Sequence, residues 1–329
     1  MLKKLPSMYT YQNLIEKCNA AIASIEYPKN PQGLYEPIAY ALSLGGKRIR
    51  PVFMLLSAQL FNKDVEAFMD AAVSIEMYHN YTLLHDDLMD NADVRRGKPT
   101  VHRRWDANTA ILSGDAMLML VYKRMLTAVT NRQALELFLR TALEVCEGQQ
   151  YDMNFESRMD VALSEYFEMI RLKTGVLISC ALKMGALMGG ASEQDAQLLF
   201  EYGAQIGKAF QVQDDYLDVF GDAKTFGKAI GGDILEGKKT FLLICALRKA
   251  TATQKLQMLD WLENTHCDPQ DKIDFITQLY EDLGVPADYE ACMQECYAKA
   301  DALLDQLQVP KEAKTELKGF ADKLMHRIN

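Results

Sequence analysis

Apolar residues recur along this chain at intervals of three and four, and strand-like alternation is nearly absent. The pattern predicts a helix over Tyr11–Ile25, ended near Pro28 and Pro31, and a short one over Pro37–Leu44, stopped by Gly45-Gly46. Pro51 suits a first helical position and opens a run to Phe61. The stretch Val65–Met89 is apolar on several faces (Phe68, Met69, Ala72, Ile75, Leu83), as a central helix ringed by others would be. Further helices are expected at Thr109–Thr127, Ala134–Tyr151, Ser164–Met188, Asp195–Val219, Thr240–Lys249 and Ala252–Glu263, with three or four amphipathic ones after them. With 9 Pro and 19 Gly among 329 residues and no Pro-rich or Ser/Gly-rich linker, the expectation is one all-α domain over 1–329, a single large helical bundle.

Two of these helices end on the same acidic pattern. Asp86-Asp87-Leu88-Met89-Asp90 closes the central helix, and Asp214-Asp215-Tyr216-Leu217-Asp218 closes the helix that begins near Asp195. Residues four apart lie nearly above one another on a helix, so Asp86 stacks with Asp90 and Asp214 with Asp218. Two unit charges about 4 Å apart repel by roughly 4 kcal/mol at an effective dielectric of 20. Six carboxylates facing one another would be tolerable only around cations. Oxygen donors without His or Cys suit hard ions, and Mg²⁺ typically takes one or two carboxylates plus substrate phosphates. One acid-rich turn is ordinarily a solvated face. The recurrence, each time beside basic residues, favours a Mg²⁺ and diphosphate site.

The basic residues form three clusters. Gly45-Gly46-Lys47-Arg48-Ile49-Arg50-Pro51 sets two glycines before three cations, without the spacing of a Walker loop. Asp93-Val94-Arg95-Arg96-Gly97-Lys98 follows the first acidic motif, and Gly227-Lys228 and Gly237-Lys238-Lys239 follow the second. Arginine forks suit diphosphate oxygens, and lysine acts as a point charge. The net charge of −9 gives no reason to expect nucleic acid as a partner. No apolar run approaches the length of a membrane span, the best, Val52-Phe53-Met54-Leu55-Leu56, soon meeting Ser57 and Gln59. The N-terminal Met-Leu-Lys-Lys-Leu-Pro-Ser lacks a signal-peptide core, and seven scattered Cys lack zinc or disulfide-framework spacing. These features point to a reducing, cytoplasmic setting.

In combination, Gly45-Gly46-Lys47-Arg48-Ile49-Arg50-Pro51, Leu84-His85 with the first acidic motif and Arg95-Arg96-Gly97, Lys173-Thr174-Gly175, and Phe210-Gln211-Val212-Gln213 with the second motif and Gly221-Asp222 resemble the trans-isoprenyl diphosphate synthases. The resemblance spans about residues 40–245 and implies an all-α isoprenoid synthase fold with a central substrate cavity. It implies a homodimer and head-to-tail condensation of isopentenyl diphosphate with dimethylallyl, geranyl or farnesyl diphosphate. By the same resemblance, Asp86, Asp90 and Asp214 ligate three Mg²⁺ ions holding the allylic diphosphate, with Asp87, Asp215 and Asp218 in support. Arg95, Lys173, Lys228 and Lys238 grip that diphosphate. Lys47, Arg50, His79 and Arg96 bind isopentenyl diphosphate, and Lys173, Thr174 and Gln211 line the path of the allylic cation. On the residues alone, His79 is as well read as a core histidine.

Product length is expected to depend on a floor below the first motif. Tyr81 stands five residues before Asp86, roughly 7–8 Å down the helix, and the small Thr82 follows. In the resembled family one aromatic here, without an insertion in the motif, goes with C20, and C15 is a close second. The alternative floor is Met117 or Met119 on another helix. Two other classes compete: a class I terpene cyclase, against which the second Asp-Asp-x-x-Asp speaks, and a phosphohydrolase built on His85-Asp86 and His79, which lacks further spaced His ligands. A regulatory subunit that kept the fold and lost activity is the third, disfavoured by both intact motifs.

Overall fold

The computed structural model describes residues 9–62, 64–222 and 230–325. Its helices are α1 (Tyr11–Ala23), α2 (Gln32–Ser43), α3 (Ile49–Gln59), α4 (Met69–Met89), α5 (Val101–Arg104), α6 (Ala107–Ala128), α7 (Arg132–Glu156) and α8 (Leu163–Ile170). They continue with α9 (Val176–Gly189), α10 (Glu193–Phe220), α11 (Gly232–Glu236), α12 (Phe241–Lys249), α13 (Ala252–Glu263), α14 (Pro269–Asp282), α15 (Val285–Gln306) and α16 (Thr315–Met325). A two-residue hairpin, Val94–Arg95 against Lys98–Pro99, is the one sheet among the described residues. The all-α expectation is met.

The contacts divide the chain into two compact units. The first comprises the described parts of Met1–Leu139, Cys180–Phe200 and Gln308–Phe320. Its centre is α4, buried along Ala71–Tyr78, which packs on α3 and runs antiparallel to α6. Asp70 at one end of α4 pairs with Arg124 at 2.5 Å, and His85 near the other end donates to the Ile111 carbonyl at 3.3 Å. The two helices meet there because residue 114 is glycine: a Cβ on Gly114 would come within 2.1 Å of His85 Nε2. Gly185 likewise admits the Met54 carbonyl, and Ser57 donates to the Leu182 carbonyl at 2.6 Å.

The second unit comprises the described parts of Arg140–Ser179, Glu201–Leu307 and Ala321–Asn329. Here α12 packs against α8, α14 and α15. Tyr216 stacks on Tyr289 with ring centroids 3.9 Å apart, fixing the far face of the second acidic turn. Cys245, Cys292 and Cys296 are buried thiols of this unit.

Several boundaries differ from those the apolar pattern predicts. The second helix begins at Gln32, not at Pro37, which is buried within it. Proline there loses one backbone bond, and packing of Ile38, Ala41 and Leu42 outweighs that loss. The third helix starts at Ile49, so Pro51 lies within the first turn, where its missing N–H has no helical partner to lose. Val65–Phe68 is a 3₁₀ turn ahead of α4. The expected helix over Ser164–Met188 is broken in the middle by a π-helical turn, Arg171–Gly175. Against the expectation that no apolar run approaches a membrane span, Leu163–Gly189, with that turn counted as helix, is long and apolar enough to cross one; 78% of its most apolar window is buried in the structure.

Candidate active site

The first motif closes α4 in a defined way. Asp90 is the C-cap, and its N–H still donates to the Asp86 carbonyl at 2.8 Å, so the two residues remain stacked. Asn91 follows with a left-handed φ of 52°, and Ala92 N–H reaches back to the Asp87 carbonyl at 2.9 Å, a Schellman ending. The chain then turns through Arg96 and Gly97, both at positive φ, the requirement of a two-residue type I′ hairpin. That turn folds Arg95 back onto Asp87. Arg95 Nε lies 2.8 Å from both carboxylate oxygens, and Nη2 is 2.6 Å from Oδ1.

The three acids of this motif therefore differ. Asp87 is buried; burial pushes its carboxyl up, and the Arg95 guanidinium works against that rise. Asp86 is half-buried and Asp90 exposed. Placing acids at a helix C-terminus, the negative end of the helix dipole, is unfavourable without cations nearby.

Arg50, His79 and Arg96 lie in one positive field. Arg50 is buried with its Nε lacking a hydrogen-bond partner, and burial lowers it to about 10. Half-buried His79 is held well below the ordinary histidine range by burial and by Arg50, Arg96, Arg95 and Arg48 around it. Arg96 lies against Gly46, where a Cβ would stand 2.9 Å from its Nη2, and donates to the Gly45 carbonyl. Lys47 is exposed beside them in sequence. Arg48 serves elsewhere, pairing from the left-handed N-cap of α3 with buried Glu76 at 2.9 Å. The three cations of this cluster, alike in sequence, are thus not equivalent, because one is committed to the core.

Tyr81 makes an edge contact with His85, centroids 4.9 Å apart, and meets Tyr78 at 5.7 Å; Tyr78 in turn meets Phe138. Thr82 Oγ1 donates to the His79 carbonyl at 2.8 Å, within its own helix. Of the alternative floor residues, Met117 is fully buried and Met119 is 58% exposed.

The second motif has neutral support. Asp215 is buried and accepts from Tyr166 Oη at 2.6 Å, from Phe241 N–H at 2.9 Å and from Gln211 Nε2 at 3.1 Å. Burial nonetheless raises it to about 6. The Phe241 donor exists because Thr240 caps α12 and turns its first N–H outward. Asp218 accepts from Asp233 N–H at 2.9 Å, at the start of α11, whose N-cap Gly231 has φ 83°. The Asp233 side chain is raised to about 8 by burial and by Asp215 and Asp218. Asp214 is half-buried, turned about a third of a revolution from Asp215.

Lys173 pairs with Asp152 at 2.6 Å, and Thr174 Oγ1 donates to Gln211 Oε1 at 3.1 Å. Lys238 is exposed, 2.7 Å from Glu236 and 3.8 Å from Asp233. Lys228 lies outside the described residues. Sequence reasoning misses Asp152, Tyr166 and Asp233. Only Asp233 carries a signal, as the acid after Gly231-Gly232 and before Gly237-Lys238.

Among the described residues, no three His, Cys, Asp or Glu side chains converge on one metal position. Within each unit the acids left nearest solvent, Asp86 and Asp90 in the first and Asp214 in the second, offer carboxylate oxygen alone. Such donors suit hard ions that complete their shell with phosphate oxygens and water, as Mg²⁺ does.

A profile of the polyprenyl synthetase family matches residues 31–280. The geranylgeranyl diphosphate synthase of Methanosarcina mazei is 41% identical, over 72% of this chain and 75% of its own. The geranylfarnesyl diphosphate synthase of Natronomonas pharaonis is 35% identical over 95% of each chain. A crystal structure of a geranylgeranyl pyrophosphate synthase superimposes with a TM-score of 0.92 and 41% identity, over 98% of this chain and all of that one. The chain belongs to the polyprenyl synthetase family, within its short-chain trans-isoprenyl diphosphate synthases, which are head-to-tail prenyltransferases.

Proposed function

We propose that the chain extends dimethylallyl, geranyl and farnesyl diphosphates with isopentenyl diphosphate and releases mainly the C20 product. The observation that carries this reading is the division of labour within each acidic motif. In both, the middle carboxylate is buried and held by fixed donors, while a neighbouring acid stays within reach of solvent. Such a division suits a site that presents some carboxylates to cations and uses others as scaffolding.

On this reading Asp86, Asp90 and Asp214 would hold Mg²⁺, which supplies neutralising charge to the departing diphosphate. Asp87, Asp215 and Asp218 position the ligating acids through the backbone they anchor. Arg95 keeps its fork on Asp87, leaving Nη1 for a diphosphate oxygen, and Lys173, Lys238 and Lys228 add cations. Charge placed where the leaving group develops it lowers the barrier rather than only tightening binding. Lys47, Arg50, His79 and Arg96 receive isopentenyl diphosphate. The unpartnered Nε of buried Arg50 and the neutral imidazole of His79 suit an incoming anion. The double bond of isopentenyl diphosphate attacks the allylic cation, and the proton then lost is taken by the released diphosphate. Thr174 and Gln211 flank the cation's path, where excluding water prevents quenching to an alcohol.

We place the enzyme in the cytoplasm as a homodimer, a single catalytic body over 1–329. Leu112, Met119 and Leu126, spaced seven apart on α6 and each more than half exposed, support an apolar dimer contact. The test is incubation of each primer with labelled isopentenyl diphosphate and Mg²⁺, with product length read by chromatography. Geranylgeranyl diphosphate as the main product is expected. A C15 or C25 end product would correct the length, and no extension of any primer would refute the reading.

A further inference from the structure

The π-helical turn at Arg171–Gly175 is held from two sides by glycines. A Cβ on Gly148 of α7 would stand 2.2 Å from the Lys173 nitrogen and 2.6 Å from the Leu172 carbonyl carbon. A Cβ on Gly207 of α10 would stand 2.5 Å from the Gly175 Cα. Both contacts are with backbone, so no rotamer change could relieve them. π turns inside α-helices frequently mark functional sites, because they re-aim the side chains around one widened turn.

One helical turn beyond each glycine stands a polar side chain aimed at the same turn. Asp152, four residues after Gly148, holds Lys173 Nζ at 2.6 Å. Gln211, four residues after Gly207, accepts from Thr174 Oγ1 at 3.1 Å and donates to Asp215, one further turn along, at 3.1 Å. The backbone pinch fixes where the π turn lies, and the polar pair fixes where Lys173 and Thr174 point.

We propose that Asp152 is a positioning residue for the reaction: it presets the Lys173 ammonium for the allylic diphosphate. This rests on the prenyltransferase reading above. Lys173 and Asp152 are each about a third exposed, and a pair of that kind contributes little to stability. A merely structural Asp152 would therefore be nearly silent on substitution. Preorganisation of a charged group that acts on the leaving diphosphate would show in turnover.

The experiment measures kcat and both KM values for wild type, D152N, D152E, K173Q and D152N/K173Q, with the primer the wild type extends, alongside melting temperatures. D152N is expected to lose about tenfold in kcat, the worth of one charge-assisted hydrogen bond at the transition state. Its KM for isopentenyl diphosphate and its melting temperature should stay close to wild type. D152E should recover part of the loss, and the double variant should be no slower than K173Q, since Asp152 acts through Lys173. Wild-type kinetics in D152N, additive losses in the double variant, or a fall in melting temperature matching the loss of rate would each overturn the proposal. Wild type that extends no primer would instead overturn the enzymatic reading.

Discussion

Asp86 and Asp87 are neighbours in one motif, and replacing each by Asn should separate two kinds of loss. Asp87 is about 6% exposed in its side chain and Arg95 27%, and the pair is joined at 2.6 and 2.8 Å. Removing one partner of a fully buried pair costs about 3–5 kcal/mol, mostly because the other charge is stranded. Arg95 keeps some water, and Asn still offers one acceptor, so about 2 kcal/mol is expected for Asp87→Asn. For a chain of 329 residues that lowers the melting temperature by about 3 °C. The hairpin at Val94–Pro99 is hinged on this contact, so Arg95 and Arg96 should lose their register and activity should fall as well. Asp86→Asn removes a half-exposed charge from a crowded helix end, and its melting temperature should move by less than about 1 °C while activity is lost. The assay is thermal unfolding without metal, paired with turnover at saturating Mg²⁺. Equal destabilisation by the two substitutions would refute the division of roles within the motif.

Replacing Tyr81 by Ala should lengthen the product, and an unchanged product ladder would remove Tyr81 as the floor. Gly114→Ala should push His85 toward Tyr81, shortening or blurring the product distribution; unaltered lengths would show that His85 simply rotates away. Asp215 and Asp233, raised to about 6 and about 8, bind protons more tightly folded than unfolded. Metal-free protein should therefore lose stability as pH rises from about 4 through about 8, and Asp233→Asn should flatten the upper part of that fall. On the α6 face shared with Met119, Leu112→Glu combined with Leu126→Glu should yield monomers by light scattering, and an intact dimer would move the interface elsewhere.

Helix content was legible because apolar spacing reports burial, on one face over many turns of α6 and α10 and on several faces of the central α4. Their interruptions were not. Pro37 reads as a start because its local effect is to break helices, and the burial that overrides it depends on residues distant in sequence. The π turn has no local signature beyond Gly175, since it is imposed by close approach of Gly148 and Gly207. The hairpin does have one: Arg96-Gly97 offers the glycine that a type I′ turn favours, between the two-residue strands Val94–Arg95 and Lys98–Pro99. Asp152 was out of reach, an acid on a polar helix face whose partner lies 21 residues on.

The repeated motif hides a difference that only the surroundings disclose. In the first copy the middle acid is met by a full positive charge, Arg95, so the motif brings at most two further charges to the solvent side. In the second the middle acid is met by a hydroxyl, a backbone amide and a carboxamide, none of which cancels its charge, and Asp233 adds a fourth carboxyl. Burial raises both Asp215 and Asp233, and neighbouring acids add to the rise, Asp214 for the one and Asp215 with Asp218 for the other. On the proposed reading, a bound cation would relieve the second copy more than the first, so its occupancy should be the more strongly pH-dependent of the two. Two strings of the same pattern thus provide unequal electrostatic settings, and the inequality comes from a hairpin in one case and two helix N-termini in the other.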